Sequence, residues 1–168
     1  PVVVLAFTRL HAGGKFDKTS GQAAYAFSGG LHGVGVAVTN ALSTRVEVEV
    51  RRDGRIHNVV FSENGEKVSE LETGESCGRQ SGTRVRAWPD AKYFDSPKLP
   101  VAELERLLRS KAVLLPGLTV TLEAEQGGAA KIWRYPLGLQ GYLEEAGAGV
   151  DVVSAVYTGE KFASADDE

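Results

Sequence analysis

A strictly alternating run at residues 45–52 constrains the fold more than any other feature of this chain. Charged residues there alternate with Val46, Val48 and Val50, which is the pattern of an antiparallel strand with one buried face. Asp53 and Gly54 follow and supply the positive φ angles of a tight hairpin turn. Residues 56–61 are therefore predicted to return as the partner strand, so the chain contains an antiparallel sheet with one solvated side.

Other turn signals predict that this sheet continues as a meander. Asn64 and Gly65 repeat the tight turn, with residues 67–71 as a third strand, and a Gly/Ser-rich turn at 78–82 leads into a strand over 83–88. A second hairpin is predicted further on, with strands at 118–122 and 132–135 around Gly127 and Gly128.

Three segments predict helices, and a fourth is ambiguous. The helix before residue 43 is predicted to present one apolar face, formed by Leu31, Val34, Val38, Ala41 and Leu42. Val101, Leu104, Leu107 and Leu108 predict an amphipathic helix that runs to about Lys111 and is stopped by Pro116 and Gly117. Residues 137–145 predict a short helix, and residues 2–10 fit either a strand or a helix.

The segment at 12–43 carries the strongest functional signal, because a glycine-rich loop runs directly into the first of these helices. Glycine lets backbone N–H groups turn toward an anion, and the first amides of a helix lack intrahelical partners at the positive end of its dipole. The loop fits neither the dinucleotide-binding GxGxxG pattern nor the P-loop pattern. The pattern alone therefore leaves two interpretations open, a phosphate site and a structural turn into a core helix.

The most specific stretches are LHAGGKF at 10–16 and SGGLHGVGVAVTNALS at 28–43. Together they closely resemble the ATPase domain of bacterial type II topoisomerases, the gyrase B and topoisomerase IV B subunits of the GHKL superfamily. RRDG at 51–54, WPD at 88–90, FDSPKL at 94–99 and KAVLLPG at 111–117 look more like topoisomerase IV than gyrase. The resemblance covers nearly all of the chain up to about Tyr142.

The resemblance implies an α+β fold, a two-layer sandwich of a mixed, mostly antiparallel sheet with helices on one face. This is the GHKL, or Bergerat-type, ATPase fold, here with its N-terminal part missing. Residues 1–149 would form the C-terminal part of the ATP-binding domain, with the lid and phosphate loop at 12–35. Residues 150–168 would begin a following transducer-like module. Over residues 2–10, the resemblance favours a helix.

The resemblance also implies which residues bind ATP. The phosphate loop would wrap the triphosphate with the backbone of Gly30, Leu31, His32, Gly33, Val34 and Gly35. Gly14 and Lys15 would lie on the lid, where the lysine cation approaches the terminal phosphate. Tyr25 would close on the adenine or ribose, and Thr83 would lie under the adenine pocket.

Each side chain in this set has an ordinary structural alternative. Lys15 fits a solvated surface lysine, Tyr25 fits packing against Phe27, and Thr83 fits a plain strand residue. His32 is assigned no acid–base role, because no carboxylate partner is evident.

The family carries its catalytic Glu, its Mg²⁺-binding Asn and its adenine-binding Asp just upstream of the matching segment. This sequence contains none of the three, so we expect it to hold half of an ATP site. The chain alone is therefore expected to lack catalytic and metal-binding residues and to be inactive, with ATP and Mg²⁺ as the cofactors of the intact protein.

For the intact protein, the resemblance implies a B subunit that couples ATP binding and hydrolysis to DNA strand passage, decatenation and relaxation. Its partners would be DNA, the topoisomerase IV A subunit, and a second copy, with which the ATPase domain dimerises on ATP binding; such enzymes are antibacterial targets. Two alternatives stay open, namely a non-catalytic fragment that binds nucleotide or inhibitor, and a gyrase B subunit.

Composition limits the other possibilities. A net charge of −3 argues against this piece being the main DNA-gripping surface, which would normally be strongly basic. The single cysteine, Cys77, excludes an internal disulfide and suits the cytoplasm. Neither a membrane-spanning pattern nor a signal-peptide pattern is evident, and no zinc site is expected, because Cys77 has no His or Cys at ligand spacing.

Overall fold

The computed structural model describes residues 1–12, 33–96, 98–125 and 127–149, together with residues 151, 154, 157 and 159. The described chain divides into two units, Pro1–Pro97 and Lys98–Glu168. The first unit contains α1 (Val2–Thr8), α2 (Gly35–Ala41), β1 (Ser43–Arg52), β2 (Arg55–Ser62), β3 (Lys67–Val68), β4 (Glu72–Ser76) and β5 (Gly82–Pro89). The second contains α3 (Val101–Leu114), β6 (Thr119–Leu122), β7 (Lys131–Arg134) and α4 (Gly138–Ala146).

The hairpin predicted from the alternating run is confirmed. β1 and β2 pair antiparallel, with Val46 opposite Phe61 and Val48 opposite Val59. The connecting residues Asp53 and Gly54 have φ angles of 53° and 76°, as a tight hairpin turn requires. The register therefore places the apolar side chains of both strands on one face.

The remaining strands extend this sheet on both sides. Its order is β3-β2-β1-β5, and β4 also pairs with β2. Every pairing between described strands is antiparallel. On the outer face of β1, Arg45 pairs with Glu47 at 2.8 Å and Arg51 pairs with Glu49 at 2.9 Å, so the charged residues of the alternation occupy the solvated side.

The third strand predicted over 67–71 is shorter, and β4 was not predicted. β3 ends at Val68 because Ser69 takes over the pairing: its backbone N–H donates to the Val60 carbonyl at 2.8 Å, while its hydroxyl accepts from the Val60 N–H at 3.0 Å. The chain then pairs with β2 again as β4. All five residues of β4 are exposed and polar or glycine, so no hydrophobic period marks the strand.

The core of the first unit lies between α1 and the inner face of the sheet. It is formed by Phe7, Val46, Val48, Val59 and Phe61, and the rings of Phe7 and Phe61 stack with centroids 5.4 Å apart. Residues 2–8 form the helix that the resemblance implied. The predicted α+β layering of helices on an antiparallel sheet is confirmed.

The buried face predicted for α2 is wrong. Val38 is 43% exposed and Ala41 is also exposed, while the buried residues of the helix are Ala37 and Asn40. The helix begins only at Gly35. It packs beside α1 through Ala37 and Asn40 rather than through its larger apolar side chains. Leu31, the first residue of the predicted face, lies outside the described residues.

The second unit confirms the predicted helices and hairpin. α3 ends at Leu114, just before Pro116 and Gly117; Leu104 and Leu108 are half-buried, whereas Val101 and Leu107 are exposed. β6 and β7 form a two-stranded antiparallel sheet. A core of Ala112, Val113 and Tyr135 joins α3 to the end of β7.

None of the helices in the described parts of the chain is long and apolar enough to cross a membrane. The domain boundary predicted near residue 149 stays a prediction.

Candidate functional site

Three of the predicted phosphate-loop residues are described, and they form the entry to α2. Gly33 has a φ of 60°, Val34 caps the helix, and Gly35 is its first residue. Since a positive φ is strained for most residues with a Cβ, glycine is favoured at position 33. At Gly35, a Cβ would meet nothing within 4 Å. The backbone at the start of α2 is therefore open, with Gly35 and Val36 exposed.

This entry has the chemistry of an anion site. The first amides of a helix have no intrahelical partners and lie at the positive end of its dipole. The first helical hydrogen bond of α2 runs from the Val38 N–H to the Val34 carbonyl at 3.0 Å. The amides of the residues between these two therefore precede the helical ladder and can donate to a bound oxyanion.

The other predicted residues of the loop and lid lie outside the described residues. They are Gly14, Lys15, Tyr25, Gly30, Leu31 and His32. Their assignment to ATP stays a prediction.

The C-terminal end of α2 is fixed by hydrogen bonds to the sheet. The Ser43 hydroxyl, which is buried, donates to the Thr39 carbonyl at 2.7 Å. The Leu42 carbonyl accepts from the Asp90 N–H at 2.9 Å, at the end of β5. α2 is thus anchored where it meets β1 and β5, while its N-terminal turn is exposed.

Thr83 occupies the predicted position near the start of β5. It lies opposite Val50 in the pairing of β5 with β1, so it shares the inner face of the sheet with the core valines. Thr83 is exposed, and its contact with adenine stays a prediction. It lies at the end of β5 away from Asp90, and no hydrogen bond between described residues connects it with the glycine entry. The structure therefore describes two separate parts of the predicted site.

A polar cluster that the sequence analysis did not predict joins the turn after β2, the start of β1 and the end of β5. Asn64 donates through Nδ2 to the Ser43 carbonyl at 3.2 Å and to Asp90 Oδ2 at 3.1 Å. Lys92 Nζ lies 2.9 Å from Asn64 Oδ1 and 3.0 Å from Asp90 Oδ2. The Lys92 side chain is the main reason why the pKa of Asp90 lies below its ordinary value, and the Lys92 backbone N–H and Asn64 add to the effect.

Two members of this cluster belong to motifs to which the sequence analysis gave other roles. Asn64 was interpreted only as a turn residue and Asp90 only as part of the WPD match. The contact between them spans 26 positions, so no local pattern predicts it.

A hollow of about 330 Å³ lies on the outer face of the sheet, opposite Thr83 and the core. Its polar lining consists of Glu47, Glu49, Asn58, Glu72, Arg84 and Arg86. Both charge signs line it, and none of the predicted ATP-binding residues does.

No family model matches this chain, but curated relatives do. The chain is 51% identical over 151 residues to the B subunits of DNA topoisomerase 4 from Escherichia coli (strain K12) and Salmonella typhimurium. Each match covers 89% of this chain and 23% of the relative. It is 39% identical over 150 residues to the DNA gyrase B subunit of Haloferax volcanii, covering 86% of this chain and 22% of the relative. The chain therefore spans less than a quarter of the length of these relatives.

Solved structures agree with the sequence relatives. The topoisomerase IV ATP-binding domain of Francisella tularensis, in complex with a small-molecule inhibitor, is 38% identical with a TM-score of 0.62, covering 79% of this chain and 38% of that one. The 43K ATPase domain of Thermus thermophilus gyrase B, in complex with an aminocoumarin, is 31% identical with a TM-score of 0.65, covering 73% and 33%. The resemblance expected from the glycine segment is confirmed, and so is the greater similarity to topoisomerase IV among these relatives.

Proposed function

We propose that this chain, which belongs to the B-subunit family of bacterial type II topoisomerases, contributes the phosphate-binding half of an ATP site. The observation that carries the proposal is the 51% identity to topoisomerase IV B subunits across 89% of the chain. In the intact protein, ATP binding and hydrolysis would drive the passage of one DNA duplex through another.

The chain's own contribution is electrostatic. The open backbone at Gly33, Val34 and Gly35 donates N–H groups to the phosphates, and the dipole of α2 adds to their stabilisation. Lys15 supplies a further cation from the lid, Gly14 and Tyr25 close over the nucleotide, and Gly30, Leu31 and His32 complete the loop. Thr83 contacts the adenine or a water beside it. Fixed donors of this kind stabilise the charge that moves between phosphates during transfer.

The general base and the Mg²⁺ ligands are assigned to residues outside this sequence. The described residues contain no group of three His, Cys, Asp or Glu side chains placed to hold a metal ion. Mg²⁺, when bound in the intact protein, neutralises charge on the phosphates. This chain then binds and orients the nucleotide, and it is inactive alone.

The proposed partners follow from the same family. The intact protein would act in the cytoplasm, bind DNA and the topoisomerase IV A subunit, and dimerise through its ATPase domain when the lid closes over bound ATP. The net charge of −3 supports a DNA contact made mainly by other parts of the complex.

Two other candidates are supported by particular observations. Gyrase B is supported by the 39% identity to the Haloferax volcanii protein, and it predicts negative supercoiling of relaxed DNA by the intact complex. Inhibitor binding is supported by the ligands of the two solved neighbours. As a function without turnover, it predicts no ATP hydrolysis even by the intact protein in the presence of DNA.

The proposal is tested by Gly33→Val in the intact protein, with Gly78→Val as the matched control. Gly33 and Gly78 have φ angles of 60° and 59°, so the β-branched valine is disfavoured by the backbone at both positions. Gly78 lies in the turn before β5, where a Cβ would meet nothing within 4 Å. We expect Gly33→Val to abolish binding of a non-hydrolysable ATP analogue in calorimetric titration, and Gly78→Val to bind like the wild type.

Retained binding in Gly33→Val would refute the role of the glycine entry in phosphate binding. Equal loss in both variants would contradict it as well, because backbone strain anywhere in the unit would then explain the effect.

A further inference from the structure

Asn40 connects the two helices that flank the glycine-rich segment. It lies on α2, one residue before the helix ends, and only 2% of it is exposed. Its Nδ2 donates to the carbonyl of Phe7 at 3.0 Å, and Phe7 is in the last turn of α1. α1 precedes the segment and α2 follows it, so one side chain joins the elements on either side of the proposed phosphate loop.

The orientation of this amide is fixed from two sides. The Phe7 carbonyl requires a donor, so nitrogen and not oxygen faces α1. On the other side, Gly65 packs so closely that a Cβ there would lie 2.6 Å from Nδ2 and 3.1 Å from the Asn40 Cγ. The amide is therefore held between α1 and the turn that follows β2.

Packing alone does not explain an amide at this position. Asn40 Oδ1 has no hydrogen-bond partner in the part of the chain that the structure describes, and a buried, unsatisfied polar atom costs about 1–3 kcal/mol. An apolar side chain here would avoid this cost, but it would remove the donor from which the Phe7 carbonyl accepts. The specific contribution of the amide is therefore its directional bond to the Phe7 carbonyl.

Apart from the hydrogen bonds that hold its C-terminal end to β1 and β5, α2 has few buried side chains that could set its position relative to α1. Of its seven residues, only Ala37 and Asn40 are buried, while Val36 and Val38 are 45% and 43% exposed. Because a helix is stiff over two turns, a shift at Asn40 moves Gly35 with it. The bond to Phe7 thus fixes the start of α2 relative to the end of α1.

We propose that Asn40 is a positioning residue for nucleotide binding, which holds the stems of the phosphate-binding segment at a fixed spacing through Phe7. The inference rests on the proposed function. It predicts that loss of the Asn40 donor weakens ATP binding more than an equal loss of core stability does.

The test uses the intact protein, reconstituted with DNA and with the other subunit of the topoisomerase. Asn40→Leu removes the donor and keeps the branched shape of the side chain. Val59→Ala is the control, since Val59 is 2% exposed in the same α1-facing core and lies on β2 rather than on α2. We expect the KM for ATP to rise about tenfold in Asn40→Leu, which corresponds to a loss of about 1.4 kcal/mol of binding free energy. The kcat should stay within about twofold, and Val59→Ala should leave KM unchanged despite its lower melting temperature.

The possible outcomes distinguish a failure of the proposed function from a failure of the positioning role of Asn40. A wild-type complex that neither binds nor hydrolyses ATP refutes the proposed function itself. An active wild type with an unchanged KM in Asn40→Leu refutes only the positioning role, and an equal KM rise in Val59→Ala refutes it too. If Asn40→Leu does not fold, Asn40→Ala, which relieves the contact with Gly65, is judged by the same comparison.

Discussion

Asn64 Nδ2 donates to Asp90 Oδ2 at 3.1 Å and thereby joins the turn after β2 to the end of β5. The same nitrogen reaches the Ser43 carbonyl at the start of β1. Asn64 can do this because it adopts a left-handed conformation with a φ of 59°, which asparagine tolerates better than most residues. Three strand ends are thus held together at the point where α2 enters the sheet.

The Asp90 carboxylate should stabilise the fold in a pH-dependent way. Its hydrogen bonds with Lys92, and then with Asn64, lower the pKa of Asp90 from its ordinary value of 3.8. A carboxyl whose pKa is lower in the folded state stabilises the protein above the unfolded pKa and loses that effect as the pH falls through the folded pKa. We therefore expect the free energy of unfolding, measured in urea, to fall more steeply below about pH 3.8 in the wild type than in Asp90→Asn.

Asp53→Asn is the control for this experiment. Asp53 is 87% exposed and its contact with Arg52 is 3.4 Å long, so the exposed pair should contribute little. Its variant should keep the acid dependence of the wild type. If Asp90→Asn also keeps that dependence, the Asp90 cluster does not stabilise the fold.

The core between α1 and the sheet should depend strongly on Phe61. Phe61 is fully buried and stacks on Phe7, and Phe61→Ala, which removes the ring, should cost about 3–5 kcal/mol. Val85→Ala, on the exposed edge strand where Val85 is 46% accessible, should change stability by less than about 0.5 kcal/mol. Urea unfolding of the 168-residue chain measures both, and similar values for the two variants would contradict the core described above.

The sequence predicted the parts of this fold that local patterns specify. The β1–β2 hairpin was predictable because a period of two and a turn with positive φ at Asp53 and Gly54 both act over neighbouring residues. α3, α4 and the β6–β7 hairpin were predictable for the same reason. The family of the chain was predictable from the literal residues at 28–43, since composition and periodicity alone left a structural turn equally open.

The parts that failed depend on contacts between distant residues. β4 is polar throughout and exists through its pairing with β2. The buried face of α2 was mistaken because Asn40, a polar residue, occupies the position against α1, and its partner Phe7 is 33 positions away. The periodicity of apolar residues along a helix cannot reveal a buried amide.

A part-buried hydrogen bond in the second unit should make a measurable contribution to stability through one hydroxyl group. Arg109 Nε donates to the Tyr135 hydroxyl at 2.8 Å, and Tyr135 is 7% exposed. Tyr135→Phe removes the acceptor and should cost about 1 kcal/mol of unfolding free energy. Tyr142→Phe keeps the ring that faces the Arg109 guanidinium at 5.0 Å and should cost less than about 0.5 kcal/mol. Equal losses in urea unfolding would show that the hydroxyl of Tyr135 makes no special contribution.

The close approach of Gly65 to Asn40 should be measurable by comparison with a second glycine that has the same φ angle. Gly65 and Gly117 both have a φ of 86°, so alanine carries a left-handed cost of about 1 kcal/mol at either site. A Cβ at Gly117 meets nothing within 4 Å, whereas one at Gly65 lies 2.6 Å from Asn40 Nδ2. Gly65→Ala should therefore destabilise the chain by at least about 1 kcal/mol more than Gly117→Ala, because Asn40 must move and its bond to Phe7 weakens.

A double-mutant cycle assigns that difference to Asn40. In an Asn40→Ala background the amide is gone, so Gly65→Ala should cost no more than Gly117→Ala does. The interaction energy between positions 40 and 65 should then equal in magnitude the extra cost of Gly65→Ala over Gly117→Ala in the wild type. Urea unfolding of the four proteins gives the term directly. An excess cost that persists without the Asn40 side chain would mean that Gly65 is constrained by other atoms, and that Asn40 is free to adjust when its neighbour grows.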